Sequence, residues 1–277
     1  MISLAYIKEW KAYAPWPQSY QVEQDLIISR ALVEIFSHPI VAKNLAFRGG
    51  TALYKLYLKP ARYSEDIDLV QVNRGAIGGV IDALQENLNH WLGVPKRNFS
   101  EGRVTLIYKV QSEEGPLLKL KVEINSREHF TVLGFEKRKF AVNSKWFTGS
   151  ADILTYQLEE LLGTKLRGLY QRKKGRDLFD LWTALTNTNA KPEKVIECFL
   201  NYMEHEGNKV TRAEFEKNLY EKLYDARFIE DISPLLYAEG EWDLHKAGEV
   251  VMNQLVTLIP GEPWKREKTR KEQRIKK

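Results

Sequence analysis

The sequence predicts an α/β domain followed by a mostly helical domain. From about residue 20 to 150, helical and strand patterns alternate, and from about 151 to 260 nearly every apolar pattern has the helical period. Two runs of alternating apolar and polar residues, joined by a turn-forming segment, predict a β-hairpin in the first part. The predicted divisions of the 277 residues are an α/β domain (1–150), a helical domain (151–260) and a basic, disordered tail (261–277).

The individual elements follow from apolar spacing and from the residues that interrupt it. In chain order, the first part is predicted to contain a helix (22–36), a short strand (45–47), a helix from Thr51 that ends before Pro60, a strand (67–72), a helix (81–92) and the hairpin strands (104–110 and 118–124). The hairpin turn is the segment Ser-Glu-Glu-Gly-Pro at 112–116. The second part is predicted to contain helices near 152–172, 177–187, 192–205, 212–224 and 243–258.

Composition excludes several classes of protein. Hydrophobic residues make up 43% of the chain and charged residues 29%, which is ordinary globular usage and not that of a disordered chain. No apolar stretch approaches the roughly 18 residues of a membrane span, and no export signal is visible, so we predict a cytoplasmic protein with no membrane partner. The single cysteine, Cys198, excludes an internal disulfide and a cysteine-based zinc site.

The positive charge is concentrated at the C-terminus. Residues 265–277 contain eight Lys or Arg and two Glu, a charge of +6, so the first 264 residues carry −1 of the net +5. The tail is therefore either a solvated end or a non-specific phosphate-binding arm, and composition favours the former. The segment 165–176 contains six basic residues and no acid, which is typical of a helix C-terminus or of a polyanion groove.

The strongest chemical signal is Gly49-Gly50-Thr51 followed by Ser64, Asp66 and Asp68. In a strand, alternate side chains share a face, so Asp66 and Asp68 are expected to point the same way. Two such carboxylates repel one another unless a cation lies between them, and Mg²⁺ prefers one or two carboxylates plus substrate phosphates. The glycines let the main chain approach a phosphate, and the following helix N-terminus favours an anion. The combination predicts a metal–nucleotide site.

Three segments carry a resemblance to a known family: 47–53 (FRGGTAL), 62–69 (RYSEDIDL) and 176–181 (RDLFDL). They resemble the signature segments of the AbiEii/AbiGii abortive-infection toxins, which belong to the nucleotidyltransferase superfamily with a DNA polymerase β-like fold. The resemblance spans roughly residues 20–185. It implies an α+β nucleotidyltransferase domain with a mixed sheet, and a helical domain that completes the active site.

The resemblance also implies roles for particular residues. Asp66, Asp68, Lys165 and Asp177 are the expected catalytic residues, and Gly49, Gly50, Thr51, Ser64, Lys165 and Arg176 the expected nucleotide-binding residues. Asp66 and Asp68, with Glu123 as a third carboxylate, would hold metal. Glu123 could equally be a solvent-facing partner of a neighbouring lysine. Lys165 falls inside an apolar helical stripe, where an ammonium needs water or an anion.

The function implied by the resemblance is that of a Mg²⁺-dependent toxin in a toxin–antitoxin or phage-defence system. Such an enzyme transfers a nucleoside monophosphate from an NTP to an acceptor hydroxyl and uses two Mg²⁺ ions, with Mn²⁺ as the alternative ion. The expected partners are the NTP, a tRNA 3′ end or another RNA, and a cognate antitoxin protein. The alternatives are a protein-modifying nucleotidyltransferase and a non-catalytic module that binds RNA or a partner.

Overall fold

The helices and strands are those of a computed structural model that describes residues 2–236 and 242–265. The strands are β1 (Leu45–Arg48), β2 (Asp66–Gln71), β3 (Lys96–Ser100), β4 (Arg103–Gln111), β5 (Leu117–Asn125), β6 (Phe135–Asn143) and β7 (Thr148–Tyr156). The helices are α1 (Leu4–Trp10), α2 (Ser19–Ser37), α3 (Pro39–Asn44), α4 (Gly49–Leu56), α5 (Gly78–Leu92), α6 (Leu158–Gln171), α7 (Gly175–Asn187), α8 (Pro192–His205), α9 (Arg212–Leu223), α10 (Ala226–Glu230) and α11 (Leu244–Gln254). Short 3₁₀ turns lie at Ser233–Leu235 and Val256–Leu258.

The described chain divides into two compact units. The first contains residues 2–161 and 234–236, and the second contains 162–233 and 242–265. Of the basic tail predicted at 261–277, residues 266–277 lie outside the described part of the chain. No helix within the described ranges has the length and apolarity needed to cross a bilayer.

The first unit is built on a mixed sheet with the strand order β3-β4-β5-β2-β1-β7-β6. Strand β2 is antiparallel to β1 and parallel to β5, and β1 is parallel to β7. Helix α2 packs on β7, β6 and β5, and α5 packs on β4, so both contribute to the core. The mixed sheet agrees with the predicted fold class, and β4 and β5 form the predicted hairpin.

Alternation along the central strands separates a core face of the sheet from a polar face. On β2, Ile67 and Leu69 are buried, whereas Asp66 and Asp68 are partly exposed. On β5, Glu123 lies on the face opposite four buried residues, which are Leu118, Leu120, Val122 and Ile124. The polar face is therefore the face that carries the predicted carboxylates.

The structure differs from the sequence prediction at residues 152–156. We predicted a helix from about 152 to 172, but β7 extends to Tyr156 and α6 begins only at Leu158. Ile153 to Tyr156 is a short apolar run, and such a run does not distinguish a buried strand from a helix. The segment is a strand in the structure because β7 forms backbone hydrogen bonds with both β1 and β6.

The second unit is helical. Helix α11 packs on α7 and α9, and α10 packs on α7 and α9. Gly163 of α6 lies where an added Cβ would be 2.6 Å from Cβ of Cys198 and 3.0 Å from the carbonyl oxygen of Val195. The close approach of α6 and α8 therefore depends on a glycine at this position. The helices predicted within 177–258 are present, with boundaries shifted by only a few residues.

Candidate active site

The turn between β1 and α4 brings the main chain against a carboxylate. Gly49 has φ +81°, a conformation that side-chain-bearing residues rarely adopt. A Cβ added to Gly49 would lie 2.2 Å from Oδ2 of Asp68, far inside van der Waals contact. Only glycine satisfies both the backbone conformation and the space. The Gly49–Asp68 contact thus fixes the start of α4 directly beside the carboxylate of β2.

A second set of contacts ties α4 to the segment that precedes β2. The Thr51 hydroxyl donates to the carbonyl oxygen of Asp66 at 2.5 Å and lies 2.8 Å from Oγ of Ser64. A Cβ on Gly50 would approach Nη2 of Arg62 to 2.4 Å. The Thr51 side chain is buried and engaged in these internal hydrogen bonds, so in this structure its hydroxyl positions Ser64 and Asp66. Ser64 remains partly exposed.

Asp66, Asp68 and Glu123 lie on one face of adjacent strands. In the parallel pairing of β2 with β5, Asp68 is opposite Glu123 and Asp66 is opposite Lys121. The Asp66 side chain is 41% exposed, so it is accessible from solvent. The three carboxylates predicted from the sequence are therefore neighbours in the sheet.

Two basic residues contact these acids. Nζ of Lys121 lies 2.8 Å from Glu123 and 3.9 Å from Asp66, and Nε of Arg103 lies 3.3 Å from Glu123. Glu123 thus has the lysine partner that we considered as an alternative to a metal-binding role. We did not anticipate Arg103, although its position follows once the hairpin register is known, since Thr105 of the same strand faces Glu123.

Partial burial of the carboxylate raises the pKa of Asp66 to about 6. Lys121 opposes this shift, whereas the negative charges of Asp68, Glu65 and Glu123 add to it. For Lys121, burial lowers the pKa, but the hydrogen bond to Glu123 and the nearby carboxylates outweigh burial and raise it. A carboxylate destabilised by burial and by like charges is one that a bound cation would stabilise.

The donor set fits a hard divalent cation that shares its coordination with a substrate. Within residues 2–236 and 242–265, no three His, Cys, Asp or Glu side chains are already grouped as a metal cage. Asp66 and Asp68 supply two carboxylates on one face, which is the number Mg²⁺ takes when phosphates and water provide its remaining ligands. Glu123 would join them only by exchanging its contacts with Lys121 and Arg103.

In the second unit, Lys165 lies in a buried ion-pair network. Its ammonium is 2.7 Å from Oδ2 of Asp180 and 3.4 Å from Oδ1 of Asp177, and both aspartates are fully buried. Arg172 binds Asp177 through two parallel hydrogen bonds, Nε to Oδ2 at 2.7 Å and Nη2 to Oδ1 at 2.8 Å. The apolar stripe around Lys165 is therefore interrupted by a charge that α7 neutralises. Asp177 orients both basic residues.

Each basic residue of the segment 165–176 has a carboxylate partner. Beyond Lys165 and Arg172, the ion pairs are Arg167 with Glu206, Lys173 with Asp225, Lys174 with Asp231, and Arg176 with Asp231. The acids of these pairs lie at helix ends: Glu206 follows α8, and Asp225 and Asp231 flank α10. The positive charge of these six residues is thus neutralised by acids from other segments of the same unit.

A family model described as "Nucleotidyl transferase AbiEii toxin, Type IV TA system" matches residues 30–250. Among solved structures, MenT4, a nucleotidyltransferase toxin from Mycobacterium tuberculosis, superimposes with a TM-score of 0.65 at 16% identity, covering 99% of this chain and 93% of that one. JHP933 from Helicobacter pylori gives a TM-score of 0.54, also at 16% identity, covering 87% of this chain and 92% of that one. A comparison with curated proteins gives no significant match. At these identities the two structures support the fold.

Proposed function

Since the chain belongs to the AbiEii family of nucleotidyltransferase toxins of type IV toxin–antitoxin systems, we propose that it transfers a nucleoside monophosphate from an NTP to an acceptor hydroxyl in a Mg²⁺-dependent reaction. The observation that carries this proposal is the shared face of Asp66 and Asp68 beside the glycine turn that begins α4. Family membership also implies an antitoxin protein as partner.

Asp66 and Asp68 are the residues we propose as metal ligands, with Glu123 as the third. When bound, Mg²⁺ neutralises phosphate charge and lowers the pKa of the acceptor hydroxyl. In the transfer, the acceptor oxygen forms a bond to the α-phosphorus, the bond from that phosphorus to the β-phosphate oxygen breaks, and pyrophosphate leaves. The hydroxyl proton is released to water. Partial burial, and to a lesser extent the negative charges of Asp68 and Glu123, raise the pKa of Asp66, and a cation between the carboxylates would offset both effects.

The glycine turn is suited to binding the phosphates of the substrate. Gly49 and Gly50 have no side chains to keep a triphosphate away from the main chain, and α4 directs its first N–H groups and the positive end of its dipole toward an anion. Ser64 adds a hydroxyl that Thr51 orients. Phosphoryl-transfer catalysis is largely positioning and charge stabilisation, which fits a site composed of these parts.

We propose Lys165 and Arg176 as further phosphate ligands and Asp177 as the acid that orients the basic residues. The network in which Asp177 binds Lys165 and Arg172 supports the orienting role of Asp177. For the acceptor we propose the 3′ end of a tRNA, and for the compartment the cytoplasm, where NTP and tRNA are both present.

The test is a transfer assay with each labelled NTP, Mg²⁺ and total tRNA. Wild-type protein is expected to label RNA, and Asp66→Asn is expected to lose the activity. Asp152→Asn is the matched control, because it makes the same change at an exposed position of β7. Label found in a lysate protein would indicate a protein acceptor. Equal activity of wild type and Asp66→Asn would refute the proposed site.

A further inference from the structure

A cavity of about 180 Å³ lies between helices α2 and α4, the segment that precedes β2, and strand β6. We name it the aromatic cavity, because five rings contribute to its wall: Trp10, Tyr13, Trp16, Tyr54 and Phe140. All of these residues belong to the first unit. Tyr13 is 58% exposed, so the cavity reaches the surface beside this ring. None of the five rings has a part in the proposed transfer reaction.

A buried carboxylate fixes the walls of the cavity. Asp25 of α2 is 4% exposed and accepts hydrogen bonds from Nε1 of Trp10 at 2.8 Å and from Nε1 of Trp16 at 3.3 Å. Nζ of Lys55 lies 2.7 Å from the same carboxylate and 3.0 Å from Oγ of Ser29. The two indole rings are thereby held in one orientation. A wall that is already ordered lowers the entropy lost when a ligand binds.

The volume of the cavity matches one aromatic ring. A cavity of about 150 Å³ lined by aliphatic and aromatic side chains holds benzene. The aromatic cavity, at about 180 Å³, therefore accommodates a six-membered ring with one small substituent and excludes a whole nucleotide. Aromatic rings pack favourably against one another in offset or edge-to-face contacts, and the five rings of the wall provide surfaces for both.

The charged side chains of the lining favour an anion. Asp25 supplies one negative charge, and Lys55 and Arg62 supply two positive charges, so the lining has a net charge of +1. Arg62 is 3% exposed, and its guanidinium carbon lies 5.3 Å from the centre of the Tyr54 ring. An excess positive charge at a buried position is stabilised by an anion. A carboxylate has one negative charge and is small enough to fit beside the ring.

Arg62 connects the aromatic cavity with the glycine turn. A Cβ added to Gly50 would lie 2.4 Å from its Nη2, so the guanidinium lies against the first turn of α4. Thr51 and Ser64, whose hydroxyls are hydrogen-bonded beside this turn, also line the cavity. An anion in the cavity and a triphosphate at the turn would attract the same guanidinium and would repel one another. Binding of either is therefore expected to weaken binding of the other.

We propose that the aromatic cavity binds a small aromatic carboxylate, with one ring and one negative charge, and that this ligand lowers the affinity of the protein for NTP. The ring lies among the five aromatic side chains, and the carboxylate lies toward Lys55 and Arg62. The binding of the aromatic carboxylate does not depend on the transfer reaction. Its effect on NTP affinity rests on the proposed function.

An NMR titration of the full-length protein with benzoate tests the cavity without requiring catalysis. The indole N–H signals of Trp10 and Trp16 are expected to shift, and those of Trp91 and Trp146, which are outside the lining, are not. Benzyl alcohol, which has the ring without the charge, should bind about tenfold more weakly than benzoate. Shifts confined to tryptophans outside the cavity, or equal affinity for the two probes, would overturn the inference.

Removal of one ring from the wall tests the site from the protein side. Tyr13→Ala changes an exposed position, so the fold is expected to be retained, and thermal unfolding checks this. We expect it to weaken benzoate binding about fivefold. Tyr224→Ala is the matched control, because Tyr224 is also an exposed tyrosine beside another ring, at 64% exposure, but belongs to the second unit. Equal effects of the two variants would contradict a site at the aromatic cavity.

The effect on NTP is measured with α,β-methylene analogues of the four NTPs in the presence of Mg²⁺. The dissociation constant of the analogue that binds is expected to rise about fivefold as benzoate is added and then to level off. A rise that continues in proportion to the benzoate concentration would show that benzoate occupies the NTP site itself, and the inference would be wrong. A constant NTP affinity at saturating benzoate would also overturn it.

The outcomes separate this inference from the proposed function. If the wild type binds no NTP analogue and transfers no nucleotide, the proposed function fails, yet the benzoate titration still decides whether the cavity holds an aromatic carboxylate. If nucleotide transfer occurs and benzoate does not bind, only the inference about the cavity fails.

Discussion

Replacing Gly49 by alanine tests whether the glycine turn is required for catalysis or only for the fold. Two effects are expected. The positive φ of Gly49 costs an alanine about 1–2 kcal/mol of stability. In addition, the new methyl group would lie 2.2 Å from Oδ2 of Asp68, so the carboxylate must move by more than 1 Å to restore ordinary contact. A displacement of about 1 Å in a catalytic group costs on the order of 100-fold in rate.

Gly134 provides a matched control for the backbone effect. It has nearly the same conformation, φ +84°, but a Cβ added there meets no heavy atom within 4 Å. Gly134→Ala should therefore lose about 1–2 kcal/mol of stability and keep its catalytic rate. Gly49→Ala should lose about as much stability from the backbone, and in addition about 100-fold in kcat/KM.

The comparison uses urea unfolding for stability and the NTP transfer assay for kcat/KM. Both are measured on Gly49→Ala, Gly134→Ala and the wild type. If Gly49→Ala is no less active than Gly134→Ala, the position of the Asp68 carboxylate does not limit the reaction, and the argument for a metal ligand at Asp68 is wrong.

Three further predictions concern buried charges and metal binding. Burial lowers the pKa of Lys222 from 10.5 to about 8. Between these two pH values the folded state binds fewer protons than the unfolded state, so the stability of the protein should rise with pH. We expect the melting temperature to rise over this window in the wild type and not in Lys222→Met. Asp180→Asn removes a carboxylate from the buried ammonium of Lys165 and should lower the free energy of unfolding, measured with denaturant, by about 3 kcal/mol. Glu197→Gln, at an exposed position of α8, is the control and should lower it by less than about 0.5 kcal/mol. Asp66→Asn should weaken Mn²⁺ binding in titration calorimetry at least tenfold, and Asp152→Asn should not; equal affinities would contradict a metal site on β2.

Local patterns predicted most of the secondary structure, because apolar periodicity reflects which face of an element is buried. The alternation in β5 placed Glu123 on the polar face correctly, and the structure puts it opposite Asp68. Strand β6 was not predicted, since an edge strand bearing Glu136, Lys137, Arg138 and Lys139 lacks the apolar signal of a core strand. The all-exposed β3 was missed for the same reason.

Contacts between distant segments were beyond what spacing could reveal. The two glycines suggested a phosphate turn, but nothing in the sequence shows that Gly49 lies against Asp68, nineteen positions away. Likewise, the apolar stripe identified Lys165 as unusual without showing that α7 supplies two carboxylates to it. Such contacts depend on tertiary packing. The sequence therefore predicts which residues are special more readily than what each of them contacts.

Ion pairing distinguishes the cations of the segment 165–176 from Lys109 and Lys119. In the segment 165–176, every cation already has a carboxylate partner in the same unit, so phosphate binding there would require breaking an existing ion pair. On the polar face of the sheet, Lys109 and Lys119 repel one another, and binding of an anion relieves that repulsion. Lys165 and Arg176, which we propose as phosphate ligands, would therefore exchange an existing carboxylate contact for the phosphate, whereas Lys109 and Lys119 would not. The sequence shows the number of cations in each segment, but only the structure shows which of them already have a carboxylate partner.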